Sequence, residues 1–282
     1  MDIAPTVHLS DEDVAFYHRE GYLVIRRVSP PDELAWMREL YDDLFARRAG
    51  REAGNQFDLA GTDEDGKPAR LPQILGPSGY APQFRQSYYF ANATAIARQL
   101  LGSDCDFRGD HAILKPASDG APTPWHQDEA YWSPDLEYHS MSFWMPLQPA
   151  TRENGCMCFI PRSHRLEVQP HHCINQDPRI HGLEVDQVDD AAMVYCPLDP
   201  GDATLHHSRT LHYAPPNTTS EVRRAYILGF GLPARPRAEP RNFYWNAAKR
   251  TARQERAKAA ARAAAAKASS TTVVHMPKEP GV

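Results

Sequence analysis

A histidine and a carboxylate stand two positions apart at His126 and Asp128, inside Pro124-Trp125-His126-Gln127-Asp128-Glu129. In an extended strand that spacing puts both on one face, so an imidazole nitrogen and a carboxylate oxygen reach one cation from a single piece of backbone. Alone the pair carries little weight, because His-x-Asp recurs by chance on protein surfaces. It gains meaning from His212 and from Arg223, eleven positions further on. Two imidazoles and one carboxylate on one side of a metal leave its other positions open, a set that suits redox-active non-haem Fe(II). Such a centre has room for a bidentate co-substrate and for dioxygen. Arginine pairs with a carboxylate through two parallel charge-assisted hydrogen bonds, so Arg223 supplies what a dicarboxylate co-substrate needs. His206 and His207 rival His212 as ligands, but five or six residues earlier on a strand they read as core or supporting histidines.

These residues need a β scaffold, and the chain supplies one. If the strands carrying His212 and Arg223 join across the Tyr213 to Thr218 turn, both side chains point into one cavity built on one sheet. Phe107 to Leu114, Met141 to Leu147, Met157 to Ile160, Ala203 to His207 and Ala225 to Phe230 are short apolar or alternating runs divided by Pro, Gly and Asp turns. Several such strands with irregular links predict a sandwich or barrel with the N-terminal helices packed outside it. The first helix is capped by Ser10, begins with Asp11, Glu12 and Asp13, carries a Leu9 to Val14 staple and ends at Gly21. Tyr22 to Ile25 is a short strand. A second helix begins after Ser29 as cap, with proline in its first position and an apolar stripe of Leu34, Met37, Leu40, Tyr41, Leu44 and Phe45. A further helix is expected near Asn92 to Leu101. Residues 48–70 read as a mobile loop, and residues 162–195 as either a lid or a solvated connection.

Composition bounds the rest. At 282 residues and 41% hydrophobic content the chain can bury a large core, here assigned to one domain over residues 8–245. A net charge of −5 argues against nucleic acid as a partner, since binding there relies on positive surface charge. No apolar run is long enough for a membrane span, and the N-terminus lacks signal-peptide character, so the expected location is cytoplasmic. Five scattered cysteines form neither a disulfide framework nor a zinc motif and read as reduced core thiols. Residues 246–282 are rich in Ala, Lys and Arg and have little to bury; they read as a polar helix or tail on which catalysis does not depend. Oligomeric state is left open.

Taken together, His126-x-Asp128, Glu153-Asn154-Gly155-Cys156, Ile160-Pro161-Arg162-Ser163-His164, Pro200-Gly201-Asp202 and His212-x-x-x-x-Asn217 with Arg223 carry a family resemblance. Over residues 8–232 the chain resembles the phytanoyl-CoA dioxygenase-like family of Fe(II)/2-oxoglutarate-dependent oxygenases. The resemblance implies a double-stranded β-helix, the jelly-roll core of cupin-like proteins. It also implies that His126, Asp128 and His212 ligate iron, that Arg223 rather than Arg224 holds the distal carboxylate of 2-oxoglutarate, that Trp144 packs on the co-substrate, and that Gln73 contacts it. The family often has a hydroxyl residue two positions after the distal histidine; Ala214 stands there and removes one contact. The implied reaction consumes dioxygen and 2-oxoglutarate, releases succinate and CO2, and oxidises a C–H bond. Hydroxylation is favoured over halogenation, because halogenating relatives replace the carboxylate that Asp128 retains. The basic residues of 162–195 and the aromatics Trp125, Tyr131 and Trp132 suit an anionic or aromatic small-molecule substrate. A non-redox metal-dependent cupin and a non-catalytic binding protein on the same fold are the alternatives, and succinate release separates them.

Overall fold

Ser10 Oγ accepts the Asp13 N–H while the Asp13 carboxylate accepts the Ser10 N–H, a reciprocal box that starts α1 (Asp11–Glu20). Gly21 ends it in the left-handed conformation (φ 82°), which costs glycine nothing sterically. The chain turns directly into β1 (Tyr22–Ile25) and then α2 (Pro31–Ala46). Ser29 does not cap this second helix. Pro30 occupies the cap position, and Ser29 Oγ donates instead to Glu33, whose carboxylate accepts the N–H groups of Tyr88 and Tyr89. Ser29 lies one residue too early to reach the first turn, so its hydroxyl steadies the start of a different helix.

The computed structural model describes residues 3–271. After α2 come β2 (Gln56–Asp58), β3 (Pro72–Leu75), α3 (Pro77–Tyr80), α4 (Tyr88–Leu101), β4 (Asp106–Lys115), β5 (Thr123–His126), β6 (Leu136–Glu137), β7 (Ser140–Pro146) and β8 (Met157–Phe159). They are followed by β9 (His172–Cys173), β10 (Leu183–Glu184), β11 (Val194–Cys196), β12 (Ala203–His207), β13 (His212–Ala214), β14 (Arg223–Gly231), β15 (Arg235–Pro236), α5 (Tyr244–Ala248) and α6 (Ala252–Thr271). No helix among the described residues is long and apolar enough to cross a membrane.

Two antiparallel sheets face each other as a double-stranded β-helix. The larger runs β1-β12-β7-β14-β4-β3-β2 and the smaller β11-β8-β13-β5. Strand alternation divides β14 between two cores. Tyr226, Leu228 and Phe230 pack outward with Met37, Tyr41, Phe84 and Tyr89, under α2 and α4. Ala225 and Ile227 point inward, where Trp144, Phe159 and Ala214 fill part of the space between the sheets. Because both faces of this strand are covered, its sequence lacks the polar alternation of a half-exposed one.

Residues 48–70 are not a mobile loop. They contain edge strand β2, and the Asp58 carboxylate accepts N–H bonds from Ala60, Arg70 and Leu71 at 3.1, 3.0 and 2.9 Å. Arg51 pairs with Asp63 and Asp65. The polar composition that resembles a solvated loop is used here to satisfy backbone internally. Residues 162–195 are likewise fixed: β9 pairs with β10, the Val185 N–H donates to the Trp125 carbonyl at 3.0 Å, and the Gln127 N–H donates to His171 Nε2 at 3.2 Å. All five cysteines are buried and free.

Candidate active site

His126 ends β5, and Gln127 continues the extended backbone (φ −121°, ψ 131°) before Asp128 enters a 3-10 turn. His126 and Asp128 therefore leave the chain on one side. Gln127 points the other way, is fully buried, donates to the Arg209 carbonyl at 2.7 Å and accepts the Gln169 N–H at 2.7 Å. This anchoring of the middle residue fixes the direction of the two beside it. His212 opens the neighbouring strand β13, directly opposite His126 in the register.

One donor atom from each of His126, Asp128 and His212 lies within 4.8 Å of the others, a cluster able to hold a metal ion. The His126 Nδ1–H donates to the Pro124 carbonyl at 2.8 Å, and the His212 Nδ1–H donates to the Thr210 carbonyl at 2.9 Å. A carbonyl can only accept, so both Nε2 atoms are left unprotonated and free to ligate. Nε2 of His212 and of His126 stand 3.5 and 3.9 Å from Asp128 Oδ1. Burial pushes both imidazoles below their ordinary pKa, His212 well below, which keeps them neutral. Burial works against charge on Asp128, but His212 and the hydrogen bond from His206 outweigh it and hold the carboxyl well below its usual range. An anionic oxygen between two neutral imidazoles is the donor set a divalent cation requires.

Around these side chains lies a cavity of about 590 Å³, the size of a small-molecule site. Gln73, Trp144 and Arg223 line it. They sit on β3, β7 and β14 of the larger sheet, whereas His126 and His212 sit on the smaller one. The expectation of one sheet is thus corrected: the site spans the gap between two. Arg223 follows His212 closely in sequence but crosses from one sheet to the other, which is how a jelly roll places neighbouring segments on opposite walls.

Arg223 is 1% exposed, and its guanidinium lies 5.2 Å from the centre of the Trp144 ring. Its Nε and Nη1 have no hydrogen-bond partner. Burial lowers its pKa to about 10, opposed by Tyr41 and Cys156, so it stays cationic at neutral pH. A buried, unpaired guanidinium is costly, and the residues fit an anion that supplies the missing bonds. Arg224 has the opposite fate: it points outward and forms a bidentate pair with Asp42 at 2.6 and 2.9 Å.

Of the predicted aromatic wall, Tyr131 and Trp132 line the cavity, while Trp125 stacks on Tyr213 at 5.3 Å. Residues 246–254 require a correction. Asn246, Lys249, Arg253 and Gln254 also line the cavity, so this segment is not remote from the site. Trp245 and Asn246 donate to the Ala130 carbonyl at 2.9 and 2.8 Å, docking α5 beside the turn that bears Asp128. The signal was Thr251-Ala252-Arg253-Gln254, a helix-starting box in which the Gln254 N–H donates to Thr251 Oγ1 and the Thr251 N–H to Gln254 Oε1. The portion beyond residue 271 lies outside the described residues. His206 has the supporting position expected of it, and Ser142, which the sequence did not single out, joins it: both donate to Asp128 Oδ2, at 3.3 and 2.7 Å. His207 lies outside the donor cluster and instead accepts the Arg209 N–H at 3.0 Å.

Comparison with known proteins identifies the family. The family model for phytanoyl-CoA dioxygenase (PhyH) matches residues 17–225. A probable alpha-ketoglutarate-dependent hypophosphite dioxygenase of Stutzerimonas stutzeri is 30% identical over 228 residues, covering 76% of each chain. Among solved structures, EvdO2 from Micromonospora carbonacea var. aurantiaca aligns with TM-score 0.75 and 42% identity over 87% of this chain and 99% of its own. EvdO2 has also been crystallised with 2-oxoglutarate. The carbocyclase SnoK from nogalamycin biosynthesis aligns with TM-score 0.66 and 25% identity over 83% of this chain and 89% of its own. The chain therefore belongs to the phytanoyl-CoA dioxygenase (PhyH) family of 2-oxoglutarate-dependent non-haem iron dioxygenases, whose cofactors are Fe(II), 2-oxoglutarate and dioxygen.

Proposed function

We propose that this enzyme oxidises a C–H bond of a small-molecule substrate, with hydroxylation as the outcome, and that His126, Asp128 and His212 hold the iron while Arg223 holds 2-oxoglutarate. The observation that carries this reading is the pairing of three convergent donors with an unpartnered buried guanidinium in one cavity. When bound, Fe(II), 2-oxoglutarate and dioxygen together supply an oxidant strong enough to cleave a C–H bond, with succinate and CO2 as co-products.

The protein's own contribution is position and shielding. Backbone carbonyls of Pro124 and Thr210 lock the two imidazoles in the tautomer that presents Nε2. Ser142 and His206 occupy Asp128 Oδ2 and turn Oδ1 towards the histidines. Arg223 orients the distal carboxylate of the co-substrate, with Trp144 beneath it and Gln73 on the same wall. Asp128 occupies the position a halide would need, which favours hydroxylation over halogenation. Tyr131 and Trp132 offer flat apolar surface to a substrate, and an aromatic or anionic compound suits this cavity.

The test is a co-substrate consumption screen across classes of small metabolites, with Fe(II), 2-oxoglutarate and air. Succinate formation coupled to a product heavier by one oxygen supports the proposal; iron and 2-oxoglutarate binding without succinate from any class contradicts it.

A further inference from the structure

Lys249 follows α5 at the edge of the cavity and is 5% exposed. Its ammonium lies 4.6 Å from the centre of the Tyr131 ring, and the centres of the Tyr131 and His126 rings are 6.0 Å apart. Tyr131 thus neighbours both this cation and a candidate iron ligand. Among the described residues no carboxylate lies within ion-pair distance of Lys249. Arg253, on the first turn of α6, shares the same wall; its guanidinium rests over Phe57 at 4.9 Å and its Nε has no partner.

Three unfavourable conditions coincide here. Lys249 is buried and Arg253 partly buried, they repel each other, and they gather at the N-terminal end of a twenty-residue helix, whose dipole also disfavours positive charge. The Tyr131 and Phe57 rings offset part of this cost but supply no negative charge. His181, the third polar group beside Tyr131, is held neutral by burial and its Nδ1 is unpartnered. Surface cations of a solubilising helix face outward; these two face the cavity. The arrangement needs an anion.

That anion is not the co-substrate carboxylate assigned to Arg223. Arg223 rests over Trp144, whereas Lys249 and Arg253 rest over Tyr131 and Phe57, so the two cationic groups sit on different aromatic rings of the cavity lining.

We infer that Lys249 and Arg253 form the substrate-recognition end of the site and select small molecules bearing a carboxylate, sulfate or phosphate group. This inference rests on the oxygenase reading above for the identity of the site, but it can be tested without turnover. Enzyme loaded with Mn(II) and 2-oxoglutarate under argon, so that Arg223 is occupied, is titrated calorimetrically with acetate, sulfate and inorganic phosphate. Saturable binding of at least one anion is expected, weakened about tenfold or more by Lys249→Met and by Arg253→Met, and retained by Lys249→Arg. The affinity of the metal-loaded protein for 2-oxoglutarate should stay within about twofold in all three variants. Because an unpaired buried cation is removed, the anion-free Lys249→Met protein should melt no lower than the wild type.

Anion binding that survives both substitutions, displaces 2-oxoglutarate or is absent altogether would overturn the inference. So would a marked loss of thermal stability in Lys249→Met, which would make the cation a structural partner of Tyr131. Failure of the wild type to bind 2-oxoglutarate would instead count against the oxygenase reading.

Discussion

His206 Nε2 donates to Asp128 Oδ2 across 3.3 Å, and Ser142 Oγ donates to that same oxygen at 2.7 Å. The carboxylate is thereby held so that only Oδ1 faces His126 and His212. His206→Phe and Ser142→Ala should each weaken Mn(II) or Fe(II) binding by about 10- to 100-fold, the range for lost partners of metal ligands. Neither should weaken 2-oxoglutarate binding at saturating metal. Anaerobic calorimetry measures both, and unchanged metal affinity in both variants would refute the positioning role.

Arg223→Met should raise the dissociation constant for 2-oxoglutarate on the order of a hundredfold, as for loss of one partner of a buried charge pair. Metal affinity should not change. The metal-free variant should melt at or above the wild-type temperature, because the substitution removes a guanidinium whose Nε and Nη1 are unbonded. A structural arginine would give the reverse pattern, with a lower melting temperature and intact co-substrate binding.

Acid should destabilise the protein through His171. Its Nδ1–H donates to the Gln169 carbonyl and its Nε2 accepts from the Gln127 N–H, so both nitrogens are committed in the neutral ring. Burial lowers its pKa to about 3 from an ordinary 6.5. Between those values the unfolded chain binds a proton that the folded chain refuses, so this contribution is complete above the ordinary value and declines as pH falls. The slope from this single group approaches about 1.4 kcal/mol per pH unit. Urea unfolding at about pH 7 and about pH 5 should show a smaller loss for His171→Gln than for the wild type; equal losses would contradict the assignment.

Trp245 is 3% exposed, stacks on Phe243 at 4.8 Å and donates to the Ala130 carbonyl. Trp245→Ala should destabilise the fold by about 3–5 kcal/mol, read from urea midpoints. A loss below about 1 kcal/mol would mean that α5 is only loosely attached.

Much of this site was legible before any coordinates. His126-x-Asp128 can be read because a strand's period of two is local, and Arg223 because a co-substrate carboxylate requires a cation near the metal. His206 could be read only as a core or supporting histidine and Ser142 not at all, since their bonds to Asp128 span 78 and 14 positions and depend on which strands meet. The two-sheet placement of His212 and Arg223 was misread for a similar reason: a turn between strands does not reveal whether the chain stays in its sheet. Lys249 and Arg253 were hidden by composition. An Ala- and Arg-rich helix has little apolar stripe to mark a buried face, yet its first turn is covered by the cavity wall. The prediction of flanking helices succeeded where caps and stripes were strong, at Ser10 and at Leu34 to Phe45. It failed in detail at Ser29, where two prolines displaced the cap.

The most direct measurement is anaerobic Fe(II) titration of the wild type and Asp128→Ala, followed by admission of air and assay of succinate from 2-oxoglutarate. The wild type should bind one equivalent of iron and form succinate, and Asp128→Ala should lose iron binding and turnover together. An Asp128→Ala protein that binds iron and forms succinate as the wild type does would contradict the assignment of His126, Asp128 and His212 as the iron ligands.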